Sequence, residues 1–428
     1  MEMLGEFQKK YTPRWLTWEE RIEFLEGLQR RLCDEVRRLE EFQVRYQETL
    51  TSVDSAESVG DLKDVHDQCN LIAIDGFLES YSVKAVQGLC SGYRDRIVNR
   101  LLTLVEEEMM REGFGSVPTP YAWMAMGSDG RREQTLFTDQ DNLLVYGEEG
   151  EGIERLWDMG DRLTGRLMPL DFGEEASVRT HKDVLDGYYE VFSRKMVERL
   201  GEIGIEKCKG GVMPSNEKWR DTISEWKDRL RGKIAYGTGD LTTLDLIIVM
   251  DLRYVGGDKL LAEELIDFVN EHTGANIELL TEMARSAILM AVPLGLFKRF
   301  ITEKSGEHKG EINLKLGGWA PLVLLTRLLA RKYGLTPTRT LDRIDALARA
   351  GVFNEKFAQE MREAYYELMK QRVLHQIEQV NREAKSDEFV NPQMLTEDEQ
   401  ERLRRALRTL EAAQKLANRI FFAGGVVG

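Results

Sequence analysis

Asp139 and Asp141 stand two residues apart at the head of the apolar run Asn142-Leu-Leu-Val-Tyr146. In extended chain alternate side chains leave the same face, which brings the two carboxylates out together with their Cα atoms roughly 6–7 Å apart. Paired hard oxygens of this kind suit Mg²⁺ or Mn²⁺, and two ions about 3.5–4 Å apart can activate an attacking hydroxyl and neutralise a departing pyrophosphate. Just upstream lies Gly127-Ser-Asp-Gly-Arg-Arg132. Gly127 and Gly130 allow the backbone to approach a phosphate, and a helix starting near Ser128 would turn its free N–H groups and positive end toward that anion. The Ser128 hydroxyl adds a donor, and Arg131 and Arg132 bring guanidinium groups that can grip phosphate oxygens in bidentate fashion. The chemistry expected of these residues is metal-assisted transfer from a bound NTP, with Asp139 and Asp141 as catalytic metal ligands.

An Asp-x-Asp pair by itself is more often a turn or a solvated strand end than a metal site. What the bland account leaves unexplained is the combination of a Gly-Ser turn, an arginine-bearing segment and then the acidic pair. An EF-hand loop is excluded, because Leu143 and Leu144 occupy the positions where a ligand and a glycine are required. The chain has neither a Walker-type Gly-Lys-Ser/Thr nor a His-Glu-x-x-His, and its five histidines have no ligand spacing.

The elements that must hold these residues are mostly helical. Thr17-Trp-Glu-Glu20 has the capping-box spacing of a helix start, and in the helix that follows Leu25, Leu32, Leu39 and Tyr46 recur every seven residues. Leu28 and Phe42 lie between them, with Glu35 breaking that second row. The row serves either ordinary helix packing or the seam of a coiled-coil homodimer. A second helical stretch is expected over 64–108. After the Gly- and Pro-rich loop 113–120, Tyr121-Ala-Trp-Met-Ala-Met126 and Asn142-Leu-Leu-Val-Tyr146 are expected as buried strands, 153–167 as a helix and 204–213 as a weaker strand. Trp219, Ile223, Trp226 and Leu230 fit one helix face, with Ser215 or Asn216 as its cap. Helices are expected over 244–254, 322–333, 341–350 and 356–383, and a last one begins at the capping box Thr396-Glu-Asp-Glu399.

A formal charge of −15 argues against a general nucleic-acid surface, which needs clustered Lys and Arg. Cys33, Cys69, Cys90 and Cys208 are too scattered for a zinc or redox motif and are expected as buried thiols in a reducing compartment. The start has no apolar signal core, and the longest apolar stretch, near 287–297, is too short to cross a bilayer. Cytoplasm is the expected location, with no membrane contact.

At its chemical core the chain resembles a nucleotidyltransferase family of unknown substrate within the DNA polymerase β-like superfamily. That family is related to protein-PII uridylyltransferase and is commonly found with cystathionine-β-synthase-type domains. The resemblance rests on Ala122-Trp123 before Gly127-Ser128, then Glu133-Gln-Thr-Leu136 and Thr138-Asp-Gln-Asp-Asn142. It continues through Cys208-Lys-Gly-Gly-Val-Met213, Trp219-Arg220, Glu225-Trp226, Asp251-Leu-Arg253 and Gly257-Asp258, and reaches Asn313-Leu-Lys-Leu-Gly317, Pro321 and Arg327. Asn313 stands where the family more often has Asp, and the regulatory domains are missing from this sequence.

The resemblance implies an α+β, predominantly helical fold. A small mixed-sheet nucleotidyltransferase domain over 116–260 would be flanked by a helical region over 1–115 and a helical bundle over 261–428. It implies transfer of NMP from an NTP to a hydroxyl of a protein or small-molecule acceptor, with a third carboxylate helping the two metal ligands. Asp251 is the first choice for that third role and Glu206 the fallback. A non-catalytic module that binds NTP and signals through its helices is the alternative.

Overall fold

The structure, a computed structural model, describes residues 16–150, 181–295, 299–384 and 387–422. The helix expected over 153–167 lies outside them. Among the described residues there are thirteen α-helices around a small mixed sheet, a predominantly helical α+β fold. The chain divides into a unit ending at Ser52 and a compact unit beginning at Val53.

Helix α1, Trp18–Asp54, starts at the expected capping box: the Thr17 N–H donates to Glu20 at 2.8 Å, and the Glu20 N–H donates back to Thr17 Oγ1 at 3.3 Å. The stretch expected as one helix over 64–108 is two, α2 (Val59–Ser80) and α3 (Val83–Arg111). Tyr81 takes a left-handed conformation with φ 50° and ends α2, and the Ser82 hydroxyl caps α3. The apolar periodicity runs through the break because both helices face the same core.

Strands β1 (Tyr121–Ala125) and β2 (Asn142–Tyr146) pair antiparallel, Tyr121 opposite Tyr146, and all ten of their residues are buried. This explains their continuous apolar sequence, since a strand covered on both faces has no polar side. β3 (Arg220–Thr222) runs parallel to β2, and β4 (Arg253–Gly257) runs antiparallel to β1, giving the order β3-β2-β1-β4. α5 (His181–Ile203) packs on α2 and α3. α6 (Ile223–Tyr236) covers β2, and Trp226 on it donates its indole N–H to the Leu144 carbonyl at 3.1 Å.

Two expectations near the sheet need correction. Trp219 is not on the helix with Trp226: it ends a 3₁₀ turn capped by Asn216, and β3 separates it from α6. The two indoles nevertheless meet, with ring centroids 6.4 Å apart, so burial rather than helix periodicity explains their spacing. The helix expected over 244–254 stops early: α7 is Thr243–Val249, and the chain then turns into β4. Arg253 and Tyr254 are therefore sheet residues, and Asp251 lies in the turn between helix and strand.

α8 (Lys259–Ala275) packs on β1 and β4 and joins the sheet to the remaining helices. These are α9 (Ile277–Leu289), α10 (Ala320–Lys332), α11 (Thr340–Arg349), α12 (Glu355–Asn381) and α13 (Glu397–Phe422). Gly334 and Gly351, with φ 67° and 73°, follow α10 and α11 as expected of helix-ending glycines. A two-residue pair, β5 (Ile312–Asn313) with β6 (Phe389–Val390), lies apart from the four-stranded sheet. No described helix is long and apolar enough to cross a membrane.

Candidate active site

The acidic pair is positioned by strand alternation. Gln140, between the two aspartates, points the opposite way and is buried, its amide donating to the Val197 and Ile205 carbonyls at 3.1 and 2.9 Å. That anchor at the end of α5 leaves Asp139 and Asp141 on the other face. The backbone extends the ladder on both sides: Met126 N–H donates to the Asp141 carbonyl at 2.8 Å, and Gln140 N–H donates to the Glu206 carbonyl at 2.8 Å. The weak strand expected over 204–213 is thus present as a single parallel bridge between Asp139 and Glu206.

The Met126 contact brings Gly127 against Asp141. Gly127 has φ +56°, and a Cβ on it would stand 2.5 Å from Asp141 Oδ2. Only glycine meets both conditions. The segment Gly127–Gly130 then forms a single helical turn, α4, with no side chain capping its start. Arg94 of α3 fixes the chain that returns from this turn to the aspartates, its buried guanidinium donating to the Thr135 and Leu136 carbonyls at 2.8 and 2.9 Å.

Asp139, Asp141 and Cys208 each offer a ligand atom, and these atoms lie within 4.8 Å of one another. Asp139 is exposed, and Asp141 and Cys208 are half-buried. Burial, reinforced by the Asp139 charge, pushes the Asp141 carboxyl up to about 7 against the pull of the Cys208 thiol and the Arg131 guanidinium. Burial and the Asp141 charge push the Cys208 thiol up to about 11. Among the described residues no cationic side chain lies within ion-pair distance of either aspartate. Two carboxylates and a thiol held together without an ion-pair partner among the described residues fit a bound cation. The expectation that all four cysteines are buried is therefore corrected: Cys69 and Cys90 are buried, Cys33 is exposed, and Cys208 adjoins the acidic pair.

Several other expected residues face elsewhere. A Cβ on Gly130 would fall 1.9 Å from the Asp251 carbonyl oxygen, so this glycine serves close packing of α4 on the turn before β4 rather than approach to a phosphate. Arg131 is buried, its Nε donating to Glu133 at 2.7 Å and its Nη1 to Asp251 at 2.6 Å. Its Nε and Nη1 are thus engaged by carboxylates of the protein itself. Arg132 is exposed, with φ 55° and Nη1 3.2 Å from Asp95. Ser128 is half-buried on α4.

Asp251 is fully buried and is enclosed by Arg131, Arg327 of α10 and Arg343 of α11; Nη2 of Arg343 donates to it at 2.7 Å and Nε of Arg327 at 3.0 Å. Burial alone would raise its pKa, but the charges of Arg327, Arg343 and Arg131 outweigh that and hold the carboxyl far below the usual range. A carboxylate so enclosed has no lone pair left for a cation, and Asp251 is not in the cluster with Asp139 and Asp141. Glu206, the fallback, is exposed beside Asp139 in the ladder but is not in the cluster either. Sequence reasoning missed Cys208 in this position. Its pairing depends on ladder register, and the one available signal was the Cys208-Lys-Gly-Gly segment at the end of the weak strand.

Comparison with known families bears on these same residues. Residues 68–240 match the family model described as Putative nucleotidyltransferase DUF294, and residues 277–421 match the one described as Putative nucleotidyltransferase substrate binding domain. No curated protein matches the chain. Together the two matched ranges cover well over half of the sequence, with Asp251 lying between them. The chain belongs to this nucleotidyltransferase family, with Gly127, Asp139, Asp141 and Cys208 all inside the first matched range.

Proposed function

We propose that this protein transfers a nucleoside monophosphate from an NTP to a hydroxyl of a protein or small-molecule acceptor, with release of pyrophosphate, in a reaction dependent on Mg²⁺ or Mn²⁺. The observation that carries the reading is the pair Asp139 and Asp141, held on one face beside Gly127 without a cationic partner among the described residues. Asp139 and Asp141 would hold the cation, which when bound supplies a Lewis acid for the phosphoryl oxygens and the attacking hydroxyl. Gly127 leaves room for Oδ2 of Asp141, and the amides of the turn at Gly127-Ser128 are the donors proposed for a phosphate. The helices of 277–421 are the segment proposed to hold the acceptor, in keeping with the description of the family they match.

The test is calorimetric titration of each NTP with Mg²⁺, followed by a pyrophosphate-release assay with cellular acceptors. The expected outcome is NTP binding that Asp139→Asn and Asp141→Asn each abolish, and turnover that the same variants lose. NTP binding that neither substitution changes would sink the proposal. A second reading, an NTP-binding module without turnover, is favoured by one specific feature: no third carboxylate joins the pair among the described residues. Binding with no pyrophosphate release from any acceptor is the outcome that selects it.

A further inference from the structure

The parallel bridge between Asp139 and Glu206 fixes what stands beside the second aspartate. Two residues further along each strand, Asp141 meets Cys208, just before the chain turns away through Gly210 and Gly211. The position that a third carboxylate would take in this cluster is thus held by sulfur, and the one carboxylate on the same strand, Glu206, stays outside the cluster. Two features besides the cysteine mark a cation position there. Asp139 and Asp141 have no ion-pair partner among the described residues, and Oδ2 of Asp141 packs against Gly127, where a Cβ would stand 2.5 Å from it, so that only glycine lets the carboxylate take its place in the cluster. We propose that Cys208 Sγ is the third protein ligand of the cation held by Asp139 and Asp141, which makes this site prefer a thiophilic divalent cation of the Zn²⁺ class over Mg²⁺.

The chemistry follows from donor softness. Mg²⁺ takes oxygen ligands and gains nothing from a thiol, whereas Zn²⁺ accepts a mixed set of thiolate and carboxylate. As the sulfur–metal bond forms the thiol proton passes to solvent, so the ligand is the thiolate and the donor set carries three negative charges. Mg²⁺ that arrives on the triphosphate of an NTP is a separate ion and needs no thiol. The proposal rests on the reading that the aspartate pair binds a cation.

The test uses the full chain with Cys33→Ser, which removes the exposed thiol and leaves Cys69 and Cys90 buried. Zn²⁺ and Mg²⁺ are titrated separately by calorimetry, and Cd²⁺ is followed by its ultraviolet sulfur-to-metal charge-transfer band. Zn²⁺ is expected to bind more tightly than Mg²⁺. Cys208→Ser is expected to weaken Zn²⁺ by at least the ~10–100-fold that loss of even an outer-sphere partner costs, to leave Mg²⁺ nearly unchanged and to abolish the Cd²⁺ band. Cys208→Asp should reverse the preference toward Mg²⁺. Zn²⁺ affinity unchanged by Cys208→Ser overturns the proposal, as does a Cd²⁺ band that survives Asp139→Asn combined with Asp141→Asn at undiminished affinity. Zn²⁺ binding that needs both aspartates but not the thiol overturns the thiol assignment alone. Cation binding indifferent to either aspartate overturns the underlying reading of the site as well.

Discussion

Gly127 carries two constraints at once, a left-handed backbone and the space taken by Oδ2 of Asp141, and both predict the same result for Gly127→Ala. The backbone alone costs about 1–2 kcal/mol for a residue with a Cβ, and the displaced carboxylate should take cation affinity with it. Gly88 is the control: it is exposed in mid-α3 with nothing within 4 Å of a Cβ, so Gly88→Ala should stabilise by about 0.5–1 kcal/mol and leave cation binding alone. Thermal melts and Mn²⁺ titrations of the two variants separate these effects; equal behaviour would contradict the cradle at Gly127. Asp141 adds a pH dependence. Its raised carboxyl keeps a proton in the folded, cation-free chain that the unfolded chain has already released above 3.8. That contribution to stability is complete below 3.8 and disappears as pH rises through about 7. Mg²⁺, which does not use the thiol, competes with the same proton, so its affinity should fall about tenfold per unit as pH drops below 7 and level off above it. A flat profile in calorimetry on both sides of neutrality counts against Asp141 as a ligand. The aspartate pair was legible in the sequence because alternation is local. Cys208 was not, because its neighbour in the cluster is set by which residues of two distant strands face each other.

Asp251 shows what element boundaries do to a functional assignment. Read within a helix ending near Tyr254, it is an acid with its side chain available; in the turn between α7 and β4 it points inward to three arginines from three elements. The run Leu244 to Val249, apolar but for Asp245, suits helix and strand alike and gave no sign of the switch. Strand β1 and β2 were legible because bounded apolar runs suit central strands, and the capping boxes at Thr17 and Thr396 both formed. The Asp251 cluster ties the α4 segment and the start of β4 to α10 and α11, and Glu133 extends it by accepting the Thr340 N–H at the start of α11. Asp251→Asn would leave three buried guanidinium groups around a neutral amide, at a cost of about 3–5 kcal/mol. The folded carboxyl lies far below the ordinary 3.8, so its contribution is fully present above that value and is lost as pH falls toward the folded one. Urea unfolding should therefore show the full gap between wild type and variant at neutral pH and a shrinking gap below pH 3.8. A gap independent of pH would mean that the charge of Asp251 is not what holds these elements together.

At the scale of the whole molecule, the two matched ranges leave α1 up to Asp54 outside both families, and its chemistry is that of an association surface. Residues 29–41 are exposed on every face, although an isolated helix owes most of its stability to a packed apolar side. Leu25, Leu32, Leu39 and Tyr46 form the expected heptad row, but the flanking row that completes it is Ile22, Gln29, Val36 and Gln43 rather than the one broken by Glu35. Ile22, Leu32, Val36 and Leu39 are 58%, 58%, 54% and 49% exposed. β-Branched residues in one core row with leucine in the other favour two parallel strands, and paired glutamines in the first row fix the register. In that register Arg21 of one copy faces Glu26 of the other, while Glu35 faces Glu40 across the seam and weakens it. The chain is therefore expected to run as a dimer, at twice its 49.2 kDa mass, in light scattering coupled to size exclusion. Leu32→Asp combined with Leu39→Asp should give the monomer with the fold from Val53 onward retained by circular dichroism. Glu35→Lys discriminates the orientation, because it turns the repulsive pair with Glu40 into an attractive one only when the helices run parallel. It should lower the concentration at which the dimer dissociates. A monomeric wild type refutes the seam, and a dimer that Glu35→Lys weakens refutes its parallel register.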